Sequence, residues 1–255
     1  MHGSFSSAFW KSLGSHFRAI RHDPNVRVVI LCSNTRAFTA GLDLKQDGLN
    51  IVVNELDPAR SALMLRDHVL EFQAAISAIE ECERPVIAAI HGVCYGLGID
   101  IISACDIRIC TSSTRFAIKE VDASIAADIG TLQRLPKATG NHSLLRELAL
   151  TARDFGVSEA IELGLVSRNQ VVDGNKEAIW SKAEEMGRVI VVKSPVATLG
   201  TKHLLNYSRD HSTQDGLEYT ALWSANALQA HDVADAIQAR LNKNTQVRFK
   251  PLGKL

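Results

Sequence analysis

Two short apolar runs, Val26-Arg-Val-Val-Ile-Leu-Cys-Ser33 and Pro85-Val-Ile-Ala-Ala-Ile90, each lead into a turn rich in small residues. Strands covered on both faces read as near-continuous β-branched runs, so both are expected to be buried strands. Between them, residues 58–81 carry a helical pattern. Glycines at 92–98 follow the second run and open a short helix to about Ala104, with further strands expected near 106–111 and 115–119. Strand, helix, strand, helix and then strand pairs constrain the chain to an α/β fold with short helices between sheet layers.

From about residue 142 the pattern turns helical. Helices are expected over 142–150, over 158–163 with Gly164 as the cap, and over 175–192; Ser194-Pro195 opens another by the preference of proline for the first turn. The last, roughly 213–242, places Leu217, Ala221, Leu222, Ala225, Leu228, Val233, Ile237 and Leu241 on one stripe. Such a stripe requires a partner surface, either its own core or another subunit. At the other end, Phe9, Leu13, Phe17 and Ile20 predict an amphipathic first helix. The acid-free, serine-bearing composition of residues 1–22 also suits a mitochondrial transit peptide.

A chain of 255 residues with 46% hydrophobic content can bury one large core, or a core plus a smaller appendage. Its 28 basic and 28 acidic residues give no electrostatic case for a nucleic-acid partner. No apolar run approaches the length of a membrane span. Cys32, Cys82, Cys94, Cys105 and Cys110 lack paired spacing and read as free thiols, and no histidine pair has ligand spacing, so no metal is expected. P-loop, GxGxxG and GxSxG signatures are absent, which removes the usual marks of nucleotide and serine-hydrolase chemistry.

Chemistry is concentrated in three acids set among small and apolar residues: Asp100, Glu120 and Asp128. Carboxylates in such company are costly unless paired, solvated or used. Two turns flank them, Ala40-Gly41-Leu42-Asp43 and Gly96-Leu97-Gly98. Glycines after strands let backbone amides approach a ligand, and two amides converging on one oxygen make an oxyanion hole. Each acid also has a plainer reading. Asp128 can cap a helix starting at Ile129, Glu120 can be a solvated strand end, and Asp100 suits the first turn of a helix. His91 reads as a packed turn residue, and Asp106 with Arg108 as a structural ion pair.

The motifs Ala37-Phe-Thr-Ala-Gly-Leu-Asp43, Arg84-Pro-Val-Ile-Ala-Ala-Ile-His-Gly92, Gly96-Leu-Gly-Ile-Asp100 and Ala104-Cys-Asp-Ile-Arg108 resemble the enoyl-CoA hydratase/isomerase (crotonase) family. Lys119-Glu-Val-Asp122, Ala126-Ala-Asp-Ile-Gly-Thr-Leu-Gln-Arg-Leu-Pro136 and Ser208-Arg-Asp-His211 are similar, more narrowly, to its Δ3,5-Δ2,4-dienoyl-CoA isomerase branch. The resemblance implies a spiral of ββα units over residues 1–193 and a C-terminal helical trimerisation region over 194–255, as a homotrimer or a hexamer. It implies isomerisation of 3,5-dienoyl-CoA to 2,4-dienoyl-CoA in fatty-acid β-oxidation, with no cofactor, since CoA belongs to the substrate.

By the family pattern the amides of Ala40 and Leu97 form the oxyanion hole, and Gly41, Leu42, Asp43 and Leu44 complete the substrate-binding turn. Glu120 and Asp128 correspond to the proton-transferring acids at C2 and C6, in that order or the reverse, and Asp100 to an acid that tunes the pair. The alternatives are a 2-enoyl-CoA hydratase and a non-catalytic CoA-binding scaffold. Hydratases of the family usually carry glutamate at the Asp100 position and glycine at the Asp128 position, and this chain departs at both. The scaffold reading arises because family members carry an N-terminal strand pair ahead of the segment matching Ala8–Leu13, whereas this chain begins within that segment and is expected to lack those strands. Gly253-Lys-Leu255 resembles a peroxisomal Ser-Lys-Leu address, so peroxisome and mitochondrial matrix are the expected compartments.

Overall fold

The computed structural model describes residues 4–42, 57–243 and 247–253. After β1 (Ser4–Phe5) and α1 (Ser7–Arg21) the chain repeats one pattern three times. A strand leads through a small-residue turn to a second, shorter strand, and then to a helix. The first turn is β2 (Val29–Cys32), β3 (Gly41–Leu42) and α2 (Pro58–Glu81). The second is β4 (Val86–Ile90), β5 (Val93–Tyr95) and α3 (Leu97–Ser103). The third is β6 (Ile107–Thr111) and β7 (Arg115–Ala117), a 3-10 turn over Glu120–Ala123, and α4 (Thr131–Ala138). There follow α5 (His142–Thr151), α6 (Val157–Leu163), β8 (Val171–Val172), α7 (Lys176–Val191), α8 (Pro195–Asp210), α9 (Thr213–Ala227) and α10 (His231–Leu241).

β2, β4 and β6, with the two-residue β8 at the edge, form one parallel sheet in the order β2-β4-β6-β8. The shorter strands stack alongside: β1 pairs with β3, a bridge joins Thr39 to Cys94, and β5 pairs with β7, all parallel. Each turn of the chain thus adds one strand to each of two layers, which makes a ββα spiral. β4 shows why its sequence reads as continuous apolar residues. Val86, Ala88 and Ile90 face the core shared with α2 and α3, while Ile87 and Ala89 face Ile179 and Ala183 of α7.

Local signals set several boundaries. Asp57 caps α2 by accepting from the amides of Ala59 and Arg60, each at 3.0 Å, and Pro58 occupies its first turn. Ser194 caps α8 by accepting from Ala197, and Gly164 ends α6 with φ +86°. Lys202 of α8 is buried, and its ammonium donates to the carbonyls of Ile79 and Arg84 and to Asp106, so the helical region is tied back to the spiral.

Three expectations change. The last helix is two: the chain leaves helical geometry around Leu228–Ala230, and the bend brings Asp232 of α10 to accept from Ser194 at 2.5 Å. The first helix buries Trp10, Gly14 and Phe17, while Phe9 stands 41% exposed. Trp10 stacks on Phe72 at 4.3 Å, and a Cβ on Gly14 would lie 2.8 Å from the Cα of Ala75, so close approach of α1 to α2 decides the buried face. Asp106 and Arg108 are not partners. Asp106 pairs with Lys202, and Arg108 donates to the carbonyls of Ile102, Cys105 and Leu165. The helix that Asp128 could have capped, α4, carries Pro136 in its last turn.

Candidate active site

The two small-residue turns meet because the strands before them are neighbours. Thr39 bridges Cys94, with the Thr39 amide donating to Val93 and the Tyr95 amide donating to Thr39. Glycine makes the approach possible. A Cβ on Gly98 would sit 2.5 Å from Thr39 Cγ2 and 3.0 Å from Cys94 Sγ. Gly41, with φ +98°, lies against the Tyr95 carbonyl.

The amides of Ala40 and Leu97 have no acceptor among the described residues. That of Gly41 is taken by the Thr39 hydroxyl at 3.0 Å, so Gly41 shapes the turn rather than offering a donor. Leu42 pairs with Phe5 and packs on the core, and Leu97 is buried. Asp43 and Leu44 lie outside the described residues.

Asp100 sits in the first turn of α3, 2% exposed. Its Oδ1 accepts from both the amide and the hydroxyl of Thr131, each at 2.7 Å. Burial, opposed by those hydrogen bonds and reinforced by the charge of Glu120, lifts its pKa to about 7. Glu120 begins the 3-10 turn after β7, and its Oε1 lies 3.4 Å from where a Cβ of Gly96 would be, against the start of α3. Its Oε2 is buried with no hydrogen-bond partner. Burial first, and the charge of Asp128 next among the raising influences, push its pKa up. The charge of Glu120 thus acts on Asp100, and that of Asp128 on Glu120.

Asp128 is exposed on an irregular segment. It does not cap α4, which starts at Thr131 behind Gly130. Instead its carbonyl accepts from Gln73 of α2 at 2.6 Å, which fixes the backbone that carries it. Nor is Glu120 a free strand end. Its neighbour Lys119 donates to the Ala152 carbonyl at 2.7 Å and pairs with Asp154, which also accepts from the Tyr95 hydroxyl.

Thr131, Gln73 and Lys119 escape a reading of the sequence because their partners lie 31, 55 and 33 residues away. The one local hint is that Thr131 follows Asp128 and Gly130 closely. His91 is buried, and its Nε2 meets the Thr35 carbonyl at 3.1 Å, as a packed turn residue would. Among the described residues no cluster of three metal-ligating side chains occurs, and no helix is long and apolar enough to cross a membrane.

The raised pKa of Asp100 has a consequence for stability. Because its folded pKa lies above the usual carboxylate value of about 3.9, its favourable contribution is complete below that value and is lost as pH rises through about 7. Asp100→Asn, neutral at every pH, is expected to gain stability over wild type at pH 8 relative to pH 5, by on the order of 1–4 kcal/mol. Urea unfolding at both pH values checks this, and an identical difference at the two would contradict it.

The sequence and the ββα spiral both match a known group of proteins. The family model for enoyl-CoA hydratase/isomerase matches residues 1–247. The chain is 44% identical over 241 residues to the mitochondrial Δ3,5-Δ2,4-dienoyl-CoA isomerase of Rattus norvegicus, covering 94% of this chain and 73% of that protein. It is 43% identical over 252 residues to the peroxisomal Δ3,5-Δ2,4-dienoyl-CoA isomerase of Arabidopsis thaliana, covering 97% and 87%. The crystal structure of an enoyl-CoA hydratase from Bacillus anthracis superposes with a TM-score of 0.84 at 29% identity, covering 97% of this chain and 90% of that one. With the sequence match running along nearly the whole chain and the spiral reproduced, this protein belongs to the enoyl-CoA hydratase/isomerase family.

Proposed function

We propose that the protein is a Δ3,5-Δ2,4-dienoyl-CoA isomerase of fatty-acid β-oxidation. The observation that carries this reading is Glu120, set against Gly96 of the turn that bears the Leu97 amide, with the buried Asp100 and the exposed Asp128 on either side of it in the electrostatics. Relatives that share 43–44% of the sequence bear that enzyme's name.

The thioester oxygen gains charge when the substrate loses a proton from C2, and the amides of Ala40 and Leu97 are the donors that would receive it. Glu120 takes the C2 proton and Asp128 returns one to C6. A single carboxylate does not serve both carbons, because a proton-transferring group must lie within roughly 3 Å of each atom it serves. Val121, Ile125 and Leu132, exposed near Asp128 in the sequence, offer apolar contact to an acyl chain. The reaction only relocates protons and double bonds, so it calls for neither redox cofactor nor metal.

Exposed Leu205, Leu217, Leu222, Leu228, Ile237 and Leu241 on or beside α8–α10 suit association of copies of the chain as a trimer or a hexamer. Mitochondrial matrix and peroxisome both fit, since relatives are named for each. The test is a spectrophotometric assay with 3,5-dienoyl-CoA, in which absorbance of the 2,4-conjugated product should rise. No rise, together with loss of crotonyl-CoA absorbance on hydration, would replace this reading by a hydratase. Thioester binding with neither change would replace it by a scaffold.

A further inference from the structure

Asp100 and Thr131 lie on successive turns of the spiral and meet only through folding. The threonine presents two donors to a single carboxylate oxygen, its amide and its hydroxyl, both 2.7 Å from Oδ1. Thr131 is the first residue of α4, behind Gly130 with φ +146°. Its side chain is fully buried. The helix start is itself anchored, because Arg134 passes under Gly130 to donate to Ser77 at 2.8 Å and to Glu80 at 3.1 Å. Glu80 is in turn held by Arg209 of α8. Thr131 is therefore presented to Asp100 by a fixed backbone.

We infer that Thr131 is a positioning residue for Asp100, occupying Oδ1 with two donors so that Oδ2 alone gains and loses the carboxyl proton. A carboxylate oxygen has two lone-pair sites, and here both are used on Oδ1. The neutral carboxyl then has one place for its hydrogen, and the acid group has one orientation in both protonation states.

The charged and titratable groups around Asp100 are few. Glu120 opposes its ionisation, Arg134 on α4 favours it, and Cys94 of β5 is the titratable group behind it. Burial dominates all three. The hydrogen bonds from Thr131 work against that burial by stabilising the ionised form. Removing the hydroxyl while keeping the shape should therefore raise the Asp100 titration by about one unit, the worth of one hydrogen bond to a charged group.

The inference builds on the reading of Asp100 as part of an isomerase site, but its test does not require turnover. In substrate-free protein, carbon-13 NMR of labelled aspartate carboxyls follows the titration, and the Asp100 signal is identified by its loss in Asp100→Asn. Thr131→Val should shift that titration upward about tenfold in proton affinity. Thr131→Ser, which keeps the donor, should leave it where it is. Thr131→Ala, with no extra bulk to accommodate, serves as the second test and should shift in the same direction as Val.

With active enzyme, the limb of the kcat profile that reports Asp100 should move to higher pH in the Val and Ala variants by the same amount. An unchanged Asp100 titration in folded Thr131→Val or Thr131→Ala would overturn the inference. So would a serine variant that behaves like valine. A shifted titration in a protein that fails to isomerise dienoyl-CoA would support the role of Thr131 and refute the isomerase reading instead.

Discussion

Glu120→Gln and Asp128→Asn are each expected to lower kcat for dienoyl-CoA isomerisation by about 10²–10⁴-fold, the usual worth of a positioned acid or base. KM should move little, because neither carboxylate is assigned to hold the thioester. Glu120 has a buried oxygen without a partner, so the amide replacement removes its proton chemistry without breaking a hydrogen bond on that oxygen. Asp128 is exposed and is fixed through its backbone by Gln73, a contact that asparagine keeps. Steady-state rates beside thermal melting separate lost chemistry from lost fold. Wild-type turnover in either variant would remove that residue from the mechanism.

Gly98→Val is expected to cost about 10²–10³ in kcat, the scale seen when an oxyanion donor is lost. The added side chain would begin 2.5 Å from Thr39 Cγ2 and 3.0 Å from Cys94 Sγ, distances that force the two turns apart. Those turns carry the Ala40 and Leu97 amides, so their separation removes convergence rather than either donor. Gly140→Ala is the control, since a Cβ there meets nothing within 4 Å. A Gly98→Val enzyme as active as the Gly140→Ala enzyme would show that close contact of the turns is not what aligns the amides.

What could be read from the sequence divides along a physical line. Elements governed by local rules were legible: α2 by its helical pattern over 58–81, α8 by Ser194-Pro195, and α6 by Gly164. β4 was legible because both its faces are buried, which leaves a continuous apolar run. Features decided by distant contacts were not. The face that α1 buries depends on Phe72 and Ala75 of α2, and the partner of Asp106 proved to be Lys202, 96 residues away.

The candidate site divides in the same way. Asp100, Glu120 and Asp128 stand out as acids in apolar company, and the glycine turns stand out beside them. Their electrostatic coupling, the unpartnered oxygen of Glu120 and the double donation from Thr131 arise only when successive turns of the spiral stack. Asp128 is the instructive case. Its sequence position suits a helix cap, yet the helix begins later, behind Gly130, and leaves the carboxylate exposed beside the coupled pair.

The central claim is that two acids divide the proton transfers, and exchange with heavy water tests it most directly. Wild-type enzyme incubated with 3,5-dienoyl-CoA in D2O should place deuterium at C6 of the 2,4-dienoyl product, read by mass spectrometry and proton NMR. Asp128→Asn should still exchange the C2 proton of the substrate while forming almost no product, and Glu120→Gln should lose both. If the two acids serve the opposite carbons, these phenotypes are interchanged. Loss of exchange and isomerisation in parallel in both variants, or an undiminished deuterated product from either, would contradict the account.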